Sequence, residues 1–422
     1  MEYGLIGYPL KHSFSKEIHN LIKTYLHNDN YNYELCELNE EELDNFFKNR
    51  EFKAINVTIP YKEKVIKYLK YLDDNAKNIG AVNTIVNIDN ELYGYNTDYY
   101  GLKSLLSRNE IELKDKNVLI LGTGGTSKTA YQVALDLGAF KIMKASRKIN
   151  INTLTYTEIY DQYSDVNVII NTTPAGMYPN NDESLIDFDK LNNLEAYVDV
   201  IYNPIHTKMA IQAKNKGIKA VNGLYMLICQ AVYAYKYFLN IEMNEDEINN
   251  LCDNIYNDII KSKINIALIG MPTSGKTTIG KELATLLNKE FIDTDEEIEK
   301  KIKISIKDFI DQFGEDEFRN IETEIIKEVS KQQSCIIACG GGVILREENI
   351  KALNQNSIIY FLNRSLNKLM TTKSRPLSST KADLEKRYNE RIDLYHKYAD
   401  IIIDADGTIK QVTKKILEDF NG

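Results

Sequence analysis

The stretch Ile264-Asn-Ile-Ala-Leu-Ile-Gly270-Met-Pro-Thr-Ser-Gly275-Lys-Thr-Thr278 runs from an apolar strand straight into a loop that contains two glycines. Gly270 and Gly275 let the backbone wrap around phosphate groups with its N–H groups pointing inwards. Lys276 supplies a positive charge, and the hydroxyl of Thr277 stands where it would ligate Mg²⁺. The stretch therefore predicts a strand, a phosphate-binding loop and a helix. The loop residues predicted to contact a nucleotide are Thr273, Ser274, Gly275, Lys276, Thr277 and Thr278.

A different glycine turn, Gly122-Thr-Gly-Gly-Thr-Ser127, lies near the middle of the preceding part of the chain. It follows the apolar run 117–121, and a helical pattern and a second strand come after it, which is the order of a dinucleotide-binding unit. The second strand ends in Ser146-Arg147-Lys148, where an NAD site usually has an acidic residue. Two cations suit the 2′-phosphate of NADP instead. The alternative is a steric glycine turn followed by a solvated basic turn.

Bulk composition limits the class of protein. A length of 422 residues favours two or three domains, and a net charge of −9 argues against non-specific nucleic-acid binding, which needs a basic surface. The five cysteines form no CxxC pair, which predicts reduced thiols in a cytosol. No apolar run approaches the roughly 20 residues of a membrane span, and the amino terminus lacks the pattern of a signal peptide. We therefore expect a cytoplasmic protein with small-molecule partners.

Short apolar strands alternate with helical patterns along nearly the whole chain, which predicts α/β units with parallel sheets. Helical patterns fill residues 223–239 and 244–262, and the apolar strand at 264 follows with almost no linker. We therefore divide the chain into domains 1–262 and 263–422. The other predicted elements are strands at 3–8, 53–59, 141–146, 166–171 and 197–201 and helices at 98–109 and 126–137.

Polar clusters follow the predicted strands of the first domain, and their Ser, Asn and Thr side chains can bind a ligand with several hydroxyl groups. A single lysine, Lys62, and a single aspartate, Asp98, stand among them. If the two converge, the carboxylate orients the ammonium, which can exchange a proton with an alcohol oxygen during hydride transfer. Taken alone, Lys62 is a surface lysine and Asp98 a helix cap. The clusters are Ser13-Phe-Ser15, Asn56 to Lys62, Asn83-Thr84 and Asn96-Thr-Asp98.

These clusters resemble the shikimate dehydrogenase family over residues 3–262. The resemblance rests on the ordered blocks Gly7–Asn20, Asn56–Lys62, Ile79–Thr84, Gly94–Asp98, Asn171–Met177, Asp199–Pro204 and Asn222–Gln230. It implies that Lys62 and Asp98 are the catalytic pair. It implies shikimate binding by Ser13, Ser15, Thr58, Asn83, Tyr202 and Gln230, with Asn56 nearby. It places the cofactor against Gly122, Thr123, Gly124, Gly125, Thr126, Ser127, Ser146, Arg147, Lys148, Val200 and Gly223. One departure is Ser-Arg-Lys at 146–148, where the family often has Asn-Arg-Thr; Arg147 is retained, so a preference for NADP is expected.

The second domain carries charged residues suited to phosphoryl transfer. Asp293 and Asp295 end the next apolar strand, where one can hold Mg²⁺ and the other can receive the acceptor proton. Arg319 and Glu322 are three residues apart on one helical face, close enough to pair, so that the arginine is pre-organised for a substrate carboxylate. The alternatives are that the aspartates cap the following helix and that the pair is an ordinary surface ion pair. Three glycines at 340–342 would let a ligand approach the backbone closely.

With the phosphate loop, these features resemble shikimate kinase over about residues 264–422. The resemblance implies shikimate binding by Asp295, Arg319, Gly340, Gly341, Gly342 and Arg391. Lys276, Thr277 and Asp293 would serve ATP and Mg²⁺, and Arg375, in a lid that reads Ser374-Arg-Pro-Leu, would close on the nucleotide. Two departures are a missing basic residue before that lid and a missing arginine after the last strand, where the family stacks adenine. Both would affect nucleotide affinity rather than the transfer itself.

The sequence thus predicts a two-lobed dehydrogenase followed by a P-loop, nucleoside-monophosphate-kinase-like α/β/α domain. The substrate lobe would cover about residues 1–100 plus the carboxy-terminal helix region of domain 1, and a Rossmann-like NADP-binding lobe about 101–240. The expected chemistry is reduction of 3-dehydroshikimate with NADPH, then phosphorylation of shikimate by ATP with catalytic Lys276 and Asp295, in a possible homodimer. The alternatives are a dehydrogenase that prefers quinate, a kinase-like half that is a regulatory nucleotide-binding module, and a scaffold for subunit association.

Overall fold

The computed structural model describes residues 1–10, 13–147, 153–369 and 381–422. The chain divides into two compact units, residues 1–203 with 207–258 and residues 204–206 with 259–422. Every strand and helix predicted in the first unit is present with ends within two residues of those expected. No helix among the described residues has the length and apolarity that a membrane span requires.

The first sheet of the first unit has the strand order β2-β1-β3-β5-β6-β4. The expected parallel pairing holds for most of it, but β5 runs antiparallel to both of its neighbours. The reason is a tight turn at Asp89 and Asn90, which both have positive φ and so join β5 to β6 as a hairpin. The strands are β1 Tyr3–Gly7, β2 Tyr33–Glu37, β3 Ala54–Val57, β4 Tyr71–Leu72, β5 Thr84–Ile88 and β6 Glu91–Tyr95. The helices are α1 Ser15–Tyr25, α2 Glu40–Asn49 and α3 Asp74–Ile79, with a short 3₁₀ helix at Lys64–Tyr68.

The second sheet of this unit is wholly parallel in the described part of the chain, with the order β12-β11-β10-β7-β8-β9. Its strands are β7 Asn117–Leu121, β8 Lys141–Ala145, β9 Thr153–Leu154, β10 Val168–Asn171, β11 Ala196–Asp199 and β12 Lys219–Val221. The helices are α4 Thr97–Arg108, α5 Gly125–Asp136, α6 Glu158–Gln162, α7 Lys208–Asn215, α8 Leu224–Leu239 and α9 Glu245–Lys263, with a 3₁₀ turn at Phe188–Lys190. The end of α9, from residue 259 onwards, is counted with the second unit. Helix α8 packs on α4 and also on α1, β3 and β5, so it reaches the first sheet.

The second unit has one parallel sheet, ordered β14-β15-β13-β16-β17. Strand β13 is apolar after its first residue, Asn265, because both of its faces are covered. Ile266 and Leu268 belong to one buried cluster, whereas Ala267 and Ile269 belong to another. The strands are β13 Asn265–Ile269, β14 Glu290–Asp293, β15 Cys335–Ala338, β16 Ser357–Asn363 and β17 Ile401–Asp404. The helices are α10 Lys276–Leu287, α11 Thr294–Ile302, α12 Ile306–Phe313, α13 Glu315–Val329, α14 Glu347–Leu353, α15 Lys381–Tyr398 and α16 Ile409–Asn421, with 3₁₀ turns at Val343–Leu345 and Leu366–Lys368.

Two candidate active sites

A nearly buried ion pair joins the lysine and the aspartate of the first unit. Lys62 Nζ lies 2.6 Å from Asp98 Oδ2, and the two side chains are only 16% and 12% exposed. Asp98 is not the cap of α4. Asn96 caps the helix by accepting a hydrogen bond from the backbone N–H of Tyr99 at 3.2 Å. The Asp98 carboxylate therefore serves the lysine, while its neighbour satisfies the helix end.

Asn83 connects this pair to a second predicted ligand residue. Its Nδ2 group donates to Asp98 Oδ1 at 2.9 Å and approaches Gln230 Oε1 at 3.4 Å. Its Oδ1 accepts from the backbone N–H of Thr97 at 2.7 Å. Asn83 thus fixes the free oxygen of the carboxylate, and Lys62, Asp98, Asn83 and Gln230 form one continuous polar group.

Asn56 lies beside this group, but protein partners already use its polar atoms. Tyr33 Oη donates to Asn56 Oδ1 at 2.7 Å, and Asn56 Nδ2 donates to Thr84 Oγ1 at 3.1 Å. The residue is buried. Asn56 therefore supports the ends of β3 and β5, which fits its predicted place near the ligand.

Three of the remaining predicted substrate residues lie close together. Ser13 Oγ donates to Ser15 Oγ at 3.0 Å. The ring of Phe14, between them, packs on Tyr202 with the ring centroids 5.1 Å apart. Thr58 directly follows β3, and its N–H donates to the carbonyl of Ile6 at 2.9 Å. Phe14 thus brings Tyr202 next to the segment that carries Ser13 and Ser15.

The glycine turn after β7 has an open backbone at the start of α5. Gly122 has φ +107°, and its carbonyl accepts a hydrogen bond from Ser127 Oγ at 2.8 Å, which closes the turn. A Cβ atom at Gly124 or Gly125 would meet no atom within 4 Å, so the helix N-terminus faces open space. Exposed N–H groups and the helix dipole favour an anion there. Thr123 is exposed and Thr126 half-buried at the same rim.

Arg147, the cation predicted to select NADP, forms an ion pair with an acidic side chain. Arg147 Nη2 lies 2.9 Å from Glu183 Oε1, with the arginine side chain 63% exposed. Ser146 is buried at the end of β8, and Lys148 lies outside the described residues. Val200 and Gly223 contact each other, because a Cβ at Gly223 would fall 2.0 Å from the carbonyl oxygen of Val200.

In the second unit, the loop after β13 has the shape of a phosphate cradle. Gly270, Thr273 and Gly275 all have positive φ, at 149°, 64° and 102°. Lys276 Nζ donates to the carbonyls of Gly270 and Met271 at 2.9 and 3.0 Å, so the ammonium lies along the loop. A cavity of about 230 Å³ opens here, lined by Thr273, Gly275, Lys276, Thr277, Thr278, Asp293, Asp295, Cys339 and Gly341. The hydroxyl of Ser274 is buried without a hydrogen-bond partner among the described residues.

Hard oxygen donors meet at the edge of this cavity. Thr277 Oγ1 donates to Asp293 Oδ2 at 2.8 Å. Asp293, and not Asp295, caps α11, since Asp293 Oδ1 accepts from the N–H of Asp295 at 3.0 Å. A hydroxyl and a carboxylate beside a phosphate site suit Mg²⁺, which prefers one or two such ligands together with phosphate oxygens and water. The suggestion that Asp295 caps the helix is therefore wrong, and Asp295 lines the cavity instead.

A second, larger cavity of about 550 Å³ adjoins the first. Asp293, Asp295 and Gly341 line both cavities, so the two spaces meet at these residues. Arg319 donates from Nη1 to Glu322 and from Nη2 to Glu315, each at 2.8 Å. Burial raises the pKa of Glu322, and the guanidinium of Arg319 opposes that rise.

Protein side chains lie close to the three glycines. A Cβ at Gly342 would lie 2.1 Å from Arg319 Nη1, and one at Gly340 would lie 2.6 Å from Asp295 Oδ1. A Cβ at Gly341 would lie 3.0 Å from Pro272 Cδ. The glycines therefore make room for side chains that shape the larger cavity, and all three line it.

Helix α15 supplies two arginines to the larger cavity. Arg391 is buried and donates from Nη1 to the carbonyl of Gly341 at 2.9 Å. Arg387, one turn earlier, also lines the cavity. Arg387 is not among the residues predicted from the sequence, although its spacing of four residues from Arg391 places both on one helical face. Arg375 lies outside the described residues.

A further arginine near the phosphate loop was also missed. Arg364 follows the end of β16, the neighbour of β13, so both strands end at the same edge of the sheet. Its Nη1 atom is 3.9 Å from the position of a Cβ on Gly275. Its Nε atom is buried without a hydrogen-bond partner among the described residues. Arg364 could have been predicted only from the strand order, which places β16 next to β13. The sequence alone does not give that order.

Comparison with known proteins gives a match for each unit. Residues 5–85 match the family model for the shikimate dehydrogenase substrate binding domain, and residues 272–421 match that for shikimate kinase. A shikimate dehydrogenase (NADP(+)) of Clostridium beijerinckii is 40% identical over 264 residues, covering 60% of this chain and 96% of the relative.

Two solved structures resemble the same part of the chain. Shikimate dehydrogenase 1 of Peptoclostridium difficile has a TM-score of 0.56 and 36% identity, covering 61% of this chain and 98% of that one. A chorismate mutase/shikimate 5-dehydrogenase fusion protein of Clostridium acetobutylicum has a TM-score of 0.56 and 34% identity, covering 61% and 97%. The second of these is itself a fusion.

Proposed function

From the premise that this chain belongs to the shikimate dehydrogenase family and also carries a shikimate kinase domain, we propose that one polypeptide performs two successive reactions. The first unit reduces 3-dehydroshikimate to shikimate with NADPH. The second unit phosphorylates the 3-hydroxyl of shikimate with ATP. The order is chemically consistent because the first product is the second substrate. The observation that carries the proposal is that Asp295 lines both a phosphate cavity and a cavity lined by arginines.

In the reduction, bound NADPH would be the source of the hydride that the carbonyl carbon receives. Lys62 donates a proton to the carbonyl oxygen as negative charge develops there. Asp98, 2.6 Å away, orients the ammonium. Asn83 holds the carboxylate from its other side. The substrate hydroxyls and carboxylate would be bound by Ser13, Ser15, Thr58, Asn83, Tyr202 and Gln230.

The dinucleotide would lie across the glycine turn of the first unit. The open N-terminus of α5 at Gly124 and Gly125 suits its pyrophosphate. Arg147, with Lys148 beyond it in sequence, would meet the 2′-phosphate. The backbone contact of Val200 and Gly223 would border the nicotinamide end. The related enzyme of Clostridium beijerinckii is a shikimate dehydrogenase (NADP(+)), in agreement with this assignment.

In the phosphorylation, Asp295 would receive the proton of the acceptor hydroxyl as it attacks the γ-phosphate. Thr277 and Asp293 would hold Mg²⁺, which neutralises charge on the phosphate oxygens. Lys276 and the loop N–H groups would bind the phosphates. Arg319 and Arg391 would contact shikimate, and Arg364 would lie beside the nucleotide. Arg375 would close from the lid.

The direct test is to supply 3-dehydroshikimate, NADPH and ATP with Mg²⁺ and to identify the products by mass. We expect shikimate first and shikimate 3-phosphate second. Accumulation of shikimate without consumption of ATP would favour a regulatory nucleotide-binding module and contradict the second reaction. A higher rate of oxidation with quinate than with shikimate would contradict the first assignment. ATP consumption by Asp295→Asn equal to that of the parent would contradict the role of that residue.

The cellular location, the oligomeric state and the partners of the enzyme are part of the same proposal. We place it in the cytoplasm as a possible homodimer with small-molecule substrates and no nucleic-acid or membrane partner. The net charge of −9 supports this view, and the five cysteines are all free. Light scattering after gel filtration would measure the oligomeric state, and a mass of one chain would contradict the dimer.

A further inference from the structure

The larger cavity of the second unit contains more positive charge than the sequence motifs account for. Arg319, Arg387 and Arg391 all line it. Arg387 and Arg391 lie one turn apart on α15, so their side chains project from the same helical face. Arg387 is half-buried, whereas Arg319 and Arg391 are buried.

Protein groups already hold the two arginines that the motifs predicted. Arg319 donates to the carboxylates of Glu322 and Glu315. Arg391 donates to the carbonyl of Gly341. These contacts fix the two guanidinium groups as part of the cavity wall.

Arg387 is different, because it makes no hydrogen bond or close ion pair with any residue that the structure describes. The charged groups that act on it are Glu315 and Glu390, which attract it, and Arg391 and Arg319, which repel it. Burial, followed by repulsion from Arg391, lowers the pKa of Arg387. A guanidinium in this position is stabilised by an anion in the cavity.

We propose that Arg387 binds the carboxylate of the kinase substrate and acts as a specificity-determining residue of that site. The inference rests on the proposed function, in which the substrate is a carboxylic acid with several hydroxyls. A planar guanidinium with free N–H groups matches a carboxylate in two-point contact. Arg387 does not line the phosphate cavity, where Thr277 and Asp293 lie, so ATP is not its ligand. The acid end of the substrate thus lies towards α15, and the reacting hydroxyl lies towards Asp295.

The test compares Arg387→Met and Arg387→Lys with Lys386→Met, which removes a neighbouring exposed charge on the same helix. Shikimate is supplied directly, and KM is measured separately for shikimate and for ATP. We expect Arg387→Met to raise KM for shikimate roughly ten- to hundredfold, since hydrogen bonds to charged groups are strong, with kcat and KM for ATP within about twofold of the parent. Arg387→Lys is expected to lie between, and Lys386→Met to match the parent. The dehydrogenase activity of each variant is measured as an internal control, and a value equal to that of the parent shows that the preparation is active.

A second substrate separates recognition from a structural role. With the methyl ester of shikimate, which has no carboxylate charge, parent and Arg387→Met should have equal KM. An equal loss on acid and ester, a rise in KM for ATP, or a parent-like KM for shikimate in both Arg387 variants would each overturn the inference. If the parent itself does not phosphorylate shikimate, the proposed function fails instead, so the two failures are distinct. If Arg387→Met does not fold, Arg387→Lys with both substrates decides the question.

Discussion

Lys62 and Asp98 are 36 residues apart in the sequence, yet Nζ of the first lies 2.6 Å from Oδ2 of the second. The contact forms because the loop after β3 carries the lysine and the first turn of α4 carries the aspartate. Asn96 caps that helix, so both carboxylate oxygens remain for Lys62 and Asn83. The pair therefore has the geometry of a proton donor held by a fixed counter-ion.

Replacing Lys62 with methionine should abolish most reduction without affecting phosphorylation. The variant keeps the length of the side chain but removes the proton donor, so we expect kcat for reduction to fall by about 10²- to 10⁴-fold. The assay is NADPH oxidation with 3-dehydroshikimate, and kinase activity of the same protein is the internal control. Lys64→Met, at an exposed lysine two residues away, should behave as the parent. A parent-like kcat in Lys62→Met would contradict the assignment.

Acid should destabilise the dehydrogenase unit through His19. The imidazole is fully buried, stacked on Tyr33 with the ring centroids 3.7 Å apart, and burial lowers its pKa to about 3. An unfolded histidine takes up a proton near pH 6.5, but the folded one stays neutral down to about pH 3. The unfolded state therefore binds more protons in this window, and the free energy of unfolding falls by about 1.4 kcal/mol per pH unit as pH drops below 6.5.

The measurement is loss of dehydrogenase activity against urea at pH 7 and pH 5. His19→Phe keeps a ring between the aromatic neighbours and removes the titrating group. Between pH 7 and pH 5, the free energy of unfolding of this variant should therefore fall by about 2 kcal/mol less than that of the parent. His27→Gln, at an exposed histidine, should retain the slope of the parent. Equal slopes for His19→Phe and the parent would refute the prediction.

Local features of the sequence predicted much of this structure. Each glycine turn sits in an uninterrupted strand–turn–helix segment, so the loops at 122–127 and 270–278 could be assigned from neighbouring residues alone. The predicted pairing of Arg319 with Glu322 also holds, because three residues on one helix fix their distance. In such cases the partners lie within a few residues of each other.

Predictions from the sequence fell short in two situations. In one, the interacting residues are far apart in the sequence; in the other, two nearby residues could each fill the same role. Asn96 and Asp98 can both cap a helix, as can Asp293 and Asp295, and only the backbone geometry selects between them. The glycine run 340–342 also lies against side chains from other elements, Arg319 among them, which the sequence did not predict. Sequence spacing carries no information on those contacts.

Adding a methyl group at Gly342 should damage the kinase site alone. The new Cβ would fall 2.1 Å from Arg319 Nη1, so the guanidinium must leave its place beside Glu322. We expect Gly342→Ala to raise KM for shikimate at least tenfold in the phosphorylation assay, as expected when a charge-assisted contact is lost. Gly341→Ala is the matched control, because its Cβ meets Pro272 at 3.0 Å and requires a smaller shift. Equal effects of the two substitutions would show that the Arg319 clash is not the cause.

Glu183 should limit the affinity of the first unit for NADPH. Its carboxylate lies 2.9 Å from Arg147, the residue proposed to meet the 2′-phosphate, and two anions would then share one guanidinium. Surface ion pairs are worth at most about 1 kcal/mol, so Glu183→Gln should lower KM for NADPH by about two- to fivefold. KM for NADH, which has no 2′-phosphate, should stay the same.

The control is Glu195→Gln, which removes an equal charge from an ion pair with Lys116. It should leave KM for NADPH and KM for NADH unchanged. The gain should shrink at high salt, where exposed charges are screened. A KM for NADPH that is unchanged or higher in Glu183→Gln would mean that the glutamate orients Arg147 for the cofactor rather than competing with it.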